Sequence, residues 1–220
     1  MELKEEYINK PESYYSHKRV ELYPFIPEGI NRSVDIGCSN GSFSYNIKNV
    51  FNIEEVWGVE PNYFSANEAK SKLFKVINSG IEEAINELPK CYFDCVFFND
   101  VLEHLIDPEC ILKKIKENIT KDGFIFCSIP NILHFTTLYS VVINKDWKYE
   151  NEGILDKTHL RFFTKKSIIR MFEECGYKVI TINGINPHMN SKLRILNFLT
   201  ANRYEEMKYL QFAILATPII

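Results

Sequence analysis

The sequence predicts an α/β fold: a doubly wound, mostly parallel sheet of seven strands with helices on both faces. Strand-like and helix-like runs alternate between residues 34 and 130, as they do when crossover helices join parallel strands. The run FDCVFFND at 93–100 is almost continuously apolar, which is typical of a strand buried on both faces. The segment SVDIGCSNGSF at 33–43 passes from a strand into a helix through two glycines.

The first half of the chain alternates predicted strands and helices in a regular order. The strands are VDIG, EVWGVE, LFKVIN and FDCVFFND at 34–37, 55–60, 73–78 and 93–100, and the intervening helices span 42–50, 62–72 and 81–88. Asp107 precedes a helix from Pro108 to Ile119, because proline suits the first helical position. Residues 121–123, Lys-Asp-Gly, then turn into a fifth strand, FIFCSIP at 124–130.

The alternation stops after the fifth strand. Residues 131–162 contain no clear βα unit, and a stretch of this length predicts a lid or substrate-binding insertion. A helix follows over 165–175, with Thr164 as its N-cap and Gly176 at its end. The last elements are a strand at 177–184, a helical segment at 190–207 and a strand at 211–217.

The length of 220 residues suits one domain, 1–220, with a full core. Within it, we expect an N-terminal helical cap at about 1–30, which includes a helix over 12–22, and the lid at about 131–162. No internal repeat or linker divides the chain.

Composition and charge exclude several classes of protein. The chain is 45% hydrophobic and 25% charged, which is ordinary for a globular domain. A formal net charge of −3 argues against a nucleic-acid partner. The N-terminus is too polar for a signal peptide, and no apolar run approaches the roughly 20 residues that span a bilayer. Six cysteines without a C-x-x-C pair favour reduced thiols and a cytoplasmic location.

The loop after the first strand predicts a site for a nucleoside-bearing cofactor. Asp35 ends the strand, and Gly37 and Gly41 allow the backbone to turn sharply before a helix starts. Glu60 closes the second strand. There its carboxylate is placed to accept both hydroxyls of a ribose.

The spacing of the glycines in this loop distinguishes a dinucleotide site from other nucleoside-binding sites. A dinucleotide site requires G-x-G-x-x-G, but Ser39 and Ser42 replace its second and third glycines. The stretch DIGCSNG at 35–41 instead resembles motif I, D-x-G-C-G-x-G, of the S-adenosylmethionine-dependent methyltransferases with a Rossmann-like fold. That resemblance also implies that the sheet ends in a reversed β-hairpin, formed by the last two strands.

The resemblance implies S-adenosylmethionine as the cofactor. Around the adenine, relatives often show G-D-h-E, where this chain has Ser-Gly-Ile-Glu at 79–82. Backbone carbonyls after the fourth strand, at 99–101, suit the amino group of the cofactor. The predicted cofactor-binding residues are Asp35, Gly37, Cys38, Ser39, Asn40, Gly41, Glu60, Pro61, Ser79, Gly80, Ile81, Asn99, Asp100 and Val101.

A second run of residues indicates which group of these methyltransferases the chain resembles. The sequence DVLEHLIDP at 100–108 is similar to a segment of ubiquinone-biosynthesis-like O-methyltransferases and of relatives from surface-polysaccharide gene clusters. The stretches SIPN at 128–131 and DKTHLRFFT at 156–164 fit the same group, and the likeness covers about 12–183. It implies methyl transfer to a hydroxyl of a small molecule or glycan.

A hydroxyl acceptor needs a base, and histidine supplies one near neutral pH. His104 and His159 lie within the two family-like runs and are the predicted catalytic residues. His17 and His188 are expected at the surface, and His134 either touches the substrate or faces solvent.

Residues ahead of the first strand offer two interpretations. Tyr14 and Tyr15 could cover the cofactor while Arg19 meets its carboxylate. An amphipathic cap with a solvated arginine fits the same residues equally well.

A divalent metal is a further possibility. Some methyltransferases of this group hold an ion with an acidic-x-x-E-H set and a distant histidine, here Asp100, Glu103, His104 and His159. Two carboxylates and two imidazoles suit Mg²⁺, Mn²⁺ or Zn²⁺ without selecting one. In the alternative, no metal binds, Glu103 caps or pairs within its helix, and His104 packs on the cofactor.

Two other functions stay open. A cofactor-binding partner subunit that has lost catalysis would keep the loop without needing the histidines. An N- or C-methyltransferase on a similar small acceptor would keep both. The glycine spacing excludes a nicotinamide-dependent oxidoreductase.

Overall fold

The computed structural model describes residues 18–219, apart from the side chain of Lys192. Seven strands lie in this part of the chain: β1 Arg32–Ile36, β2 Glu55–Val59, β3 Lys75–Ile77, β4 Phe93–Asn99, β5 Ile119–Pro130, β6 Tyr177–Pro187 and β7 Tyr209–Pro218. The α-helices there are α1 Ser42–Phe51, α2 Tyr63–Lys70, α3 Ile81–Ala84, α4 Pro108–Ile115, α5 Phe135–Leu138, α6 Lys165–Glu174 and α7 Ser191–Leu199. Short 3₁₀ segments occupy Val20–Phe25, Leu102–His104, Lys116–Asn118 and Glu205–Lys208, and a π-helical turn follows α5 at Tyr139–Ile143.

The strands form one sheet in the order β3-β2-β1-β4-β5-β7-β6. The first five strands are parallel. β7 runs antiparallel to both β5 and β6. The predicted fold class, with its terminal reversed hairpin, is therefore confirmed. The strand order reverses between β1 and β4, and such a switch point leaves a crevice at the carboxyl ends of the strands.

Two apolar clusters cover the two faces of the sheet. Val96 and Phe98 of β4 belong to the cluster that α4 and α6 cover. Phe97, the residue between them, packs in the other cluster with Phe43 of α1 and Phe126 of β5. Because successive side chains of a strand point to opposite faces, the apolar run FDCVFFND fills both clusters.

Several element boundaries differ from the predictions; the helix expected over 81–88, for example, ends at Ala84. The expected turn at 121–123 lies inside β5 as a bulge, since Phe93 pairs with Ile119 and Cys95 with Phe124. The helix expected over 108–119 changes to a 3₁₀ turn after Ile115. The helical segment expected over 190–207 is interrupted after Leu199, because the next turn places Ala201 and Asn202 at left-handed φ.

The segment 131–162 holds no strand of the sheet and consists mainly of α5, the π-helical turn and loops. The predicted N-terminal cap is described only from residue 18, and its described part contains a 3₁₀ segment at Val20–Phe25. Residues 12–17 of the expected helix lie outside the described residues. Tyr14, Tyr15 and His17 lie outside the described residues. No helix of the described chain combines the length and apolar character that crossing a bilayer requires.

Candidate functional site

A cavity of about 800 Å³ opens at the carboxyl ends of β1, β2 and β4. The loop after β1, the start of α3 and the residues after β4 form its inner wall, and residues 152–160 of the lid segment form its outer wall. The crevice at the switch point is therefore a cavity that the lid segment partly covers.

Most of the predicted cofactor residues line this cavity. The lining includes Asp35, Gly37, Cys38, Ser39, Pro61, Ser79, Gly80, Ile81, Asn99, Asp100 and Val101, together with His104 and His159. Asn40, Gly41 and Glu60 do not line it. The fold thus brings together segments that are far apart in sequence.

The loop after β1 approaches the cavity through its backbone. The N–H groups of Gly37 and Cys38 donate to the carbonyl of Val59 at 2.8 and 3.1 Å. Gly37 has φ +72°, and a Cβ there would lie 2.7 Å from Cγ2 of Val101. Gly41 has φ +77°, and a Cβ there would lie 3.2 Å from the backbone of Ala69. Both glycines are required by conformation and by space.

Glu60 stabilises this loop from behind. Its buried carboxylate accepts the backbone N–H of Ser39 at 2.8 Å and that of Asn62 at 2.8 Å. Burial raises the pKa of Glu60 to about 7, although the two N–H donors oppose the shift. On the other side of the loop, Lys72 donates to the carbonyl of Asn40 at 2.6 Å.

Asp35 is the second buried carboxylate near the loop. Ser44 of α1 donates its hydroxyl to Oδ2 at 2.5 Å. Burial raises the pKa of Asp35 to about 7, the hydrogen bond from Ser44 opposes this shift, and nearby Glu60 adds to it. Two carboxylates with raised pKa values thus flank the inner end of the cavity.

Asn99 is the last residue of β4 and lines the cavity. Both polar atoms of its amide are buried, and neither has a hydrogen-bond partner among the described residues. A buried amide without partners is costly. It therefore marks a place where a polar ligand gains two hydrogen bonds.

Asp100 faces a different set of partners from the one that the metal hypothesis requires. Its carboxylate pairs with Arg19 and accepts from the amide of Gln211 at 2.7 Å and the hydroxyl of Ser128 at 3.3 Å. Arg19 also pairs with Glu21 at 2.7 Å. Arg19 joins the N-terminal segment to the sheet edge and lines the cavity. It is therefore not fully solvated, and its contact with the carboxylate of the cofactor stays a prediction.

Glu103, His104 and His159 come together where the inner and outer walls of the cavity meet. One ligand atom from each lies within 4.8 Å of the other two. Nε2 of His159 is 4.0 Å from Oε1 of Glu103. The Glu103 carboxylate is fully buried, and neither oxygen has a hydrogen-bond partner among the described residues. Burial raises the pKa of Glu103 well above its usual range, and the nearby charge of Asp100 adds to this.

Backbone contacts orient both histidines. Nδ1 of His104 lies 3.1 Å from the carbonyl of Thr158, and Nδ1 of His159 lies 3.0 Å from the carbonyl of Ile154. Because a carbonyl only accepts, each Nδ1 carries the proton and each Nε2 of a neutral ring carries the lone pair. The carbonyl of Glu103 in turn accepts the N–H of Leu160 at 2.8 Å.

The other two described histidines lie outside the cavity lining. His134 is buried at the base of the lid segment with Nδ1 2.8 Å from the hydroxyl of Thr136, and it does not line the cavity. Burial lowers its pKa to about 4. His188 is exposed, as expected. Gln211 and Asp156 line the cavity and were not predicted, since only the tertiary fold brings β7 and the lid turn to this edge.

Comparison with known proteins shows to which family the chain belongs. A family model described as a methyltransferase domain matches residues 7–182. The ubiquinone biosynthesis O-methyltransferase of Pseudoalteromonas translucida is 26% identical over 172 residues, which cover 75% of this chain and 71% of that protein. The tRNA U34 carboxymethyltransferase of Campylobacter lari is 30% identical over 112 residues, which cover 48% of this chain and 38% of that protein. The match therefore spans well under half the length of that relative.

A solved structure supports the fold over the whole chain. The SAM-dependent methyltransferase from Archaeoglobus fulgidus aligns with a TM-score of 0.69 at 21% identity, covering 97% of each chain. At this identity the likeness establishes the fold alone.

Proposed function

The chain belongs to the methyltransferase-domain family, and from that premise we propose that it methylates a hydroxyl of a small molecule or glycan. S-adenosylmethionine is the methyl donor of this class of enzymes. One observation carries the choice of acceptor group: the pair His104 and His159 lies in the same cavity as the loop after β1.

The cavity fits S-adenosylmethionine. Left-handed Gly37 lets the loop backbone reach the cavity, and the unpartnered amide of Asn99 offers a donor and an acceptor there. The volume of about 800 Å³ is within the range of roughly 300–1,000 Å³ for small-molecule sites. When bound, the cofactor supplies a methyl group on a positively charged sulfur.

We assign parts of the cofactor to groups of residues. The loop residues Gly37, Cys38, Ser39, Asn40 and Gly41 hold the methionine part, with Asp35 and the Asn99–Val101 segment near its amino group. Glu60 and Pro61 hold the ribose, and Ser79, Gly80 and Ile81 surround the adenine. Each oxygen of Glu60 accepts one backbone N–H and keeps a second lone pair. Because the side chain is fully buried and does not line the cavity, ribose binding requires a shift that exposes the carboxylate to the cavity.

The two histidines supply the base. With each Nδ1–H donated to a backbone carbonyl, the Nε2 lone pair of either ring can accept the proton of an acceptor hydroxyl. The ring arrangement stays fixed while it does so, because backbone groups rather than mobile side chains hold it. We therefore propose His104 and His159 as the catalytic residues.

A second arrangement rests on Glu103. Its fully buried carboxylate has no hydrogen-bond partner among residues 18–219 and lies beside two imidazole lone pairs. One carboxylate and two imidazoles suit a divalent cation such as Mn²⁺ or Zn²⁺, which would bind the acceptor oxygen and lower its pKa. The expected fourth ligand, Asp100, is absent from this set because Arg19 and Gln211 engage it.

The chemical class of the acceptor is a proposal that competes with other acceptors. The names of the relatives refer to ubiquinone biosynthesis and to tRNA U34, so an N- or C-acceptor and a nucleic acid are the competing outcomes. An inactive partner subunit is a further competitor.

We also propose that the chain is one domain and that residues 131–162 close over the acceptor. We propose a cytoplasmic location as well, where the six free cysteines stay reduced.

One experiment tests the donor and the acceptor separately. We expect S-adenosylhomocysteine to bind with a Kd on the order of 1–100 μM by calorimetry, and absence of heat at high protein concentration would contradict the donor assignment. Labelled S-adenosylmethionine is then incubated with sugar nucleotides, quinone precursors and bulk tRNA. Label that is recovered in a hydroxyl-bearing small molecule or glycan supports the proposal, and label in tRNA alone contradicts it.

A further inference from the structure

Helix α7 exposes an apolar face to solvent. Ile195, Phe198 and Leu199 are 61%, 85% and 74% exposed. Their spacing of three and four residues places them on one side of the helix. Leu193 and Asn197, on the other side, are buried against the protein. A surface helix normally shows the opposite distribution, with its apolar stripe inward.

The connection that carries α7 has a net positive charge. Residues 188–208 contain Lys192, Arg194, Arg203 and Lys208 against Glu205 and Glu206, a formal charge of +2. The whole chain has 29 acidic and 26 basic residues. The exposed apolar helix therefore lies in a basic connection of a protein that is acidic overall.

A second exposed apolar segment starts beside the first. In the π-helical turn after α5, Tyr139, Val142 and Ile143 are 50%, 63% and 60% exposed. The base of this segment contacts the connection that carries α7, because the ring of Phe135 stacks on His188 with centroids 5.5 Å apart. The start of the π-helical segment and the start of the connection that carries α7 are therefore neighbours on the protein surface.

This part of the surface adjoins the mouth of the cavity. α7 lies in the connection between β6 and β7, and the second and third residues of β7, Leu210 and Gln211, line the cavity. On the other side, residues 152–154 of the lid segment line it as well. A surface that met the outer face of α7 would lie close to the acceptor entrance.

We propose that α7 docks this domain on an anionic lipid surface. An apolar helix face with basic residues around it is the pattern of an interfacial helix, whose side chains enter the headgroup region while cations meet anionic lipids. A nucleic acid would gain from the cations but nothing from Ile195 and Leu199. The face is the convex side of one helix, so a flat lipid surface can cover it completely.

The docking surface goes beyond the proposed methyl transfer, because it assigns a location to the reaction. It brings the cavity mouth to the membrane, where an acceptor with a lipid tail would be found. Its test measures lipid binding directly and does not depend on the acceptor or on the methyl donor.

The test is flotation with vesicles of phosphatidylcholine and phosphatidylglycerol, and with vesicles of phosphatidylcholine alone. We expect the chain to float with the anionic vesicles only, and to bind less at high salt. The double substitution Phe198→Ser with Leu199→Ser is expected to lower binding about tenfold or more, since two large apolar side chains no longer insert. Arg194→Ser, which keeps the apolar face, is expected to lower binding to a smaller extent.

Phe64→Ser is the matched control. Phe64 is 73% exposed on α2, and α2 packs near β3, at the sheet edge opposite β6. This variant is expected to bind as the unmodified chain does. The proposal is overturned if the unmodified chain does not float with anionic vesicles, or if the folded double variant floats equally well. Binding to tRNA that depends on Arg194 and not on Phe198 would also overturn it.

Discussion

The rings of His104 and His159 meet edge to face, with centroids 4.7 Å apart and planes at 70°. One ring follows the central strand β4, and the other ends the lid segment. The backbone of Glu103 joins the two, because its carbonyl accepts the N–H groups of Leu160 at 2.8 Å and Arg161 at 3.1 Å. The far end of the lid segment is therefore fixed to the sheet edge.

Replacing either histidine is expected to reduce turnover without loss of cofactor binding. His104→Asn and His159→Asn each remove an Nε2 lone pair, and general-base catalysis contributes about 10²- to 10⁴-fold. The measurement is the rate of label transfer with the identified acceptor, alongside calorimetry with S-adenosylhomocysteine. His188→Asn, at an exposed histidine outside the cavity, is the control. Unchanged turnover in both variants would favour the inactive partner subunit.

Chelation distinguishes the two arrangements of the site. If Glu103 and the histidines hold a cation, EDTA lowers the rate, and Mn²⁺, Mg²⁺ or Zn²⁺ restores it. Glu103→Gln then removes the metal response, because the neutral amide is a poor ligand. Glu117→Gln, which changes an exposed partner of Lys90, serves as the control. Full activity of the unmodified chain in EDTA contradicts the metal arrangement and leaves the histidine base.

The sequence predicted the sheet, the glycine loop and the two histidines because each depends on a local pattern or on the edge at which parallel strands end. It did not predict where Asp100 points. In a regular helix, D-x-x-E-H places its three charged residues on one face, but the chain here has Asp100 at φ 56° followed by a 3₁₀ turn at Leu102–His104. The carboxylate is thereby directed to Arg19 and Gln211. Such a backbone conformation depends on tertiary contacts.

Gly37→Ala is expected to impair both folding and cofactor binding. The left-handed φ of +72° costs an L-residue about 1–2 kcal/mol, and the added Cβ would lie 2.7 Å from Val101 Cγ2, which displaces the cavity wall. Gly29→Ala is the matched control, since Gly29 has φ +79° with nothing within 4 Å of its Cβ position. We expect Gly29→Ala to lose a similar strain energy in urea unfolding and to retain full affinity for S-adenosylhomocysteine. Equal affinities of the two variants would contradict a role of the loop in the cofactor site.

Glu60→Gln is expected to weaken S-adenosylhomocysteine binding about 10- to 100-fold, because hydrogen bonds to a charged acceptor contribute about 1.5–3 kcal/mol. The amide also places N–H donors against those of Ser39 or Asn62, so the loop itself is disturbed. Glu54→Gln, at an exposed site before β2, is the control. To separate the ribose contact from loop damage, the variants are compared with adenosine and with 2′-deoxyadenosine. If Glu60 binds the ribose, the preference for adenosine disappears in Glu60→Gln and persists in Glu54→Gln.

The stability of the free protein is expected to fall as the pH rises from about 4 to about 7. Burial raises the pKa of Asp35 from 3.8 to about 7 and that of Glu60 from 4.5 to about 7. Between these limits the native state holds protons that the unfolded chain has released, so the free energy of unfolding decreases with pH. The loss is complete once the pH exceeds the native pKa values. Each group contributes on the order of a few kcal/mol.

This prediction is checked by measuring the free energy of unfolding in urea from pH 4 to pH 8, for the unmodified chain and for its variants. Asp35→Asn keeps an oxygen for the hydroxyl of Ser44 but cannot ionise, so its stability should decline less steeply with pH than that of the unmodified chain. Asp122→Asn, at an exposed carboxylate, is the control and should follow the unmodified chain. A ligand amino group near Asp35 favours the charged carboxylate, so S-adenosylhomocysteine should bind more tightly as the pH rises toward 7, with proton release greatest between the pKa values of Asp35 in the bound and in the free protein. Parallel stability curves for Asp35→Asn and the unmodified chain would show that the buried carboxyl is already ionised at pH 4.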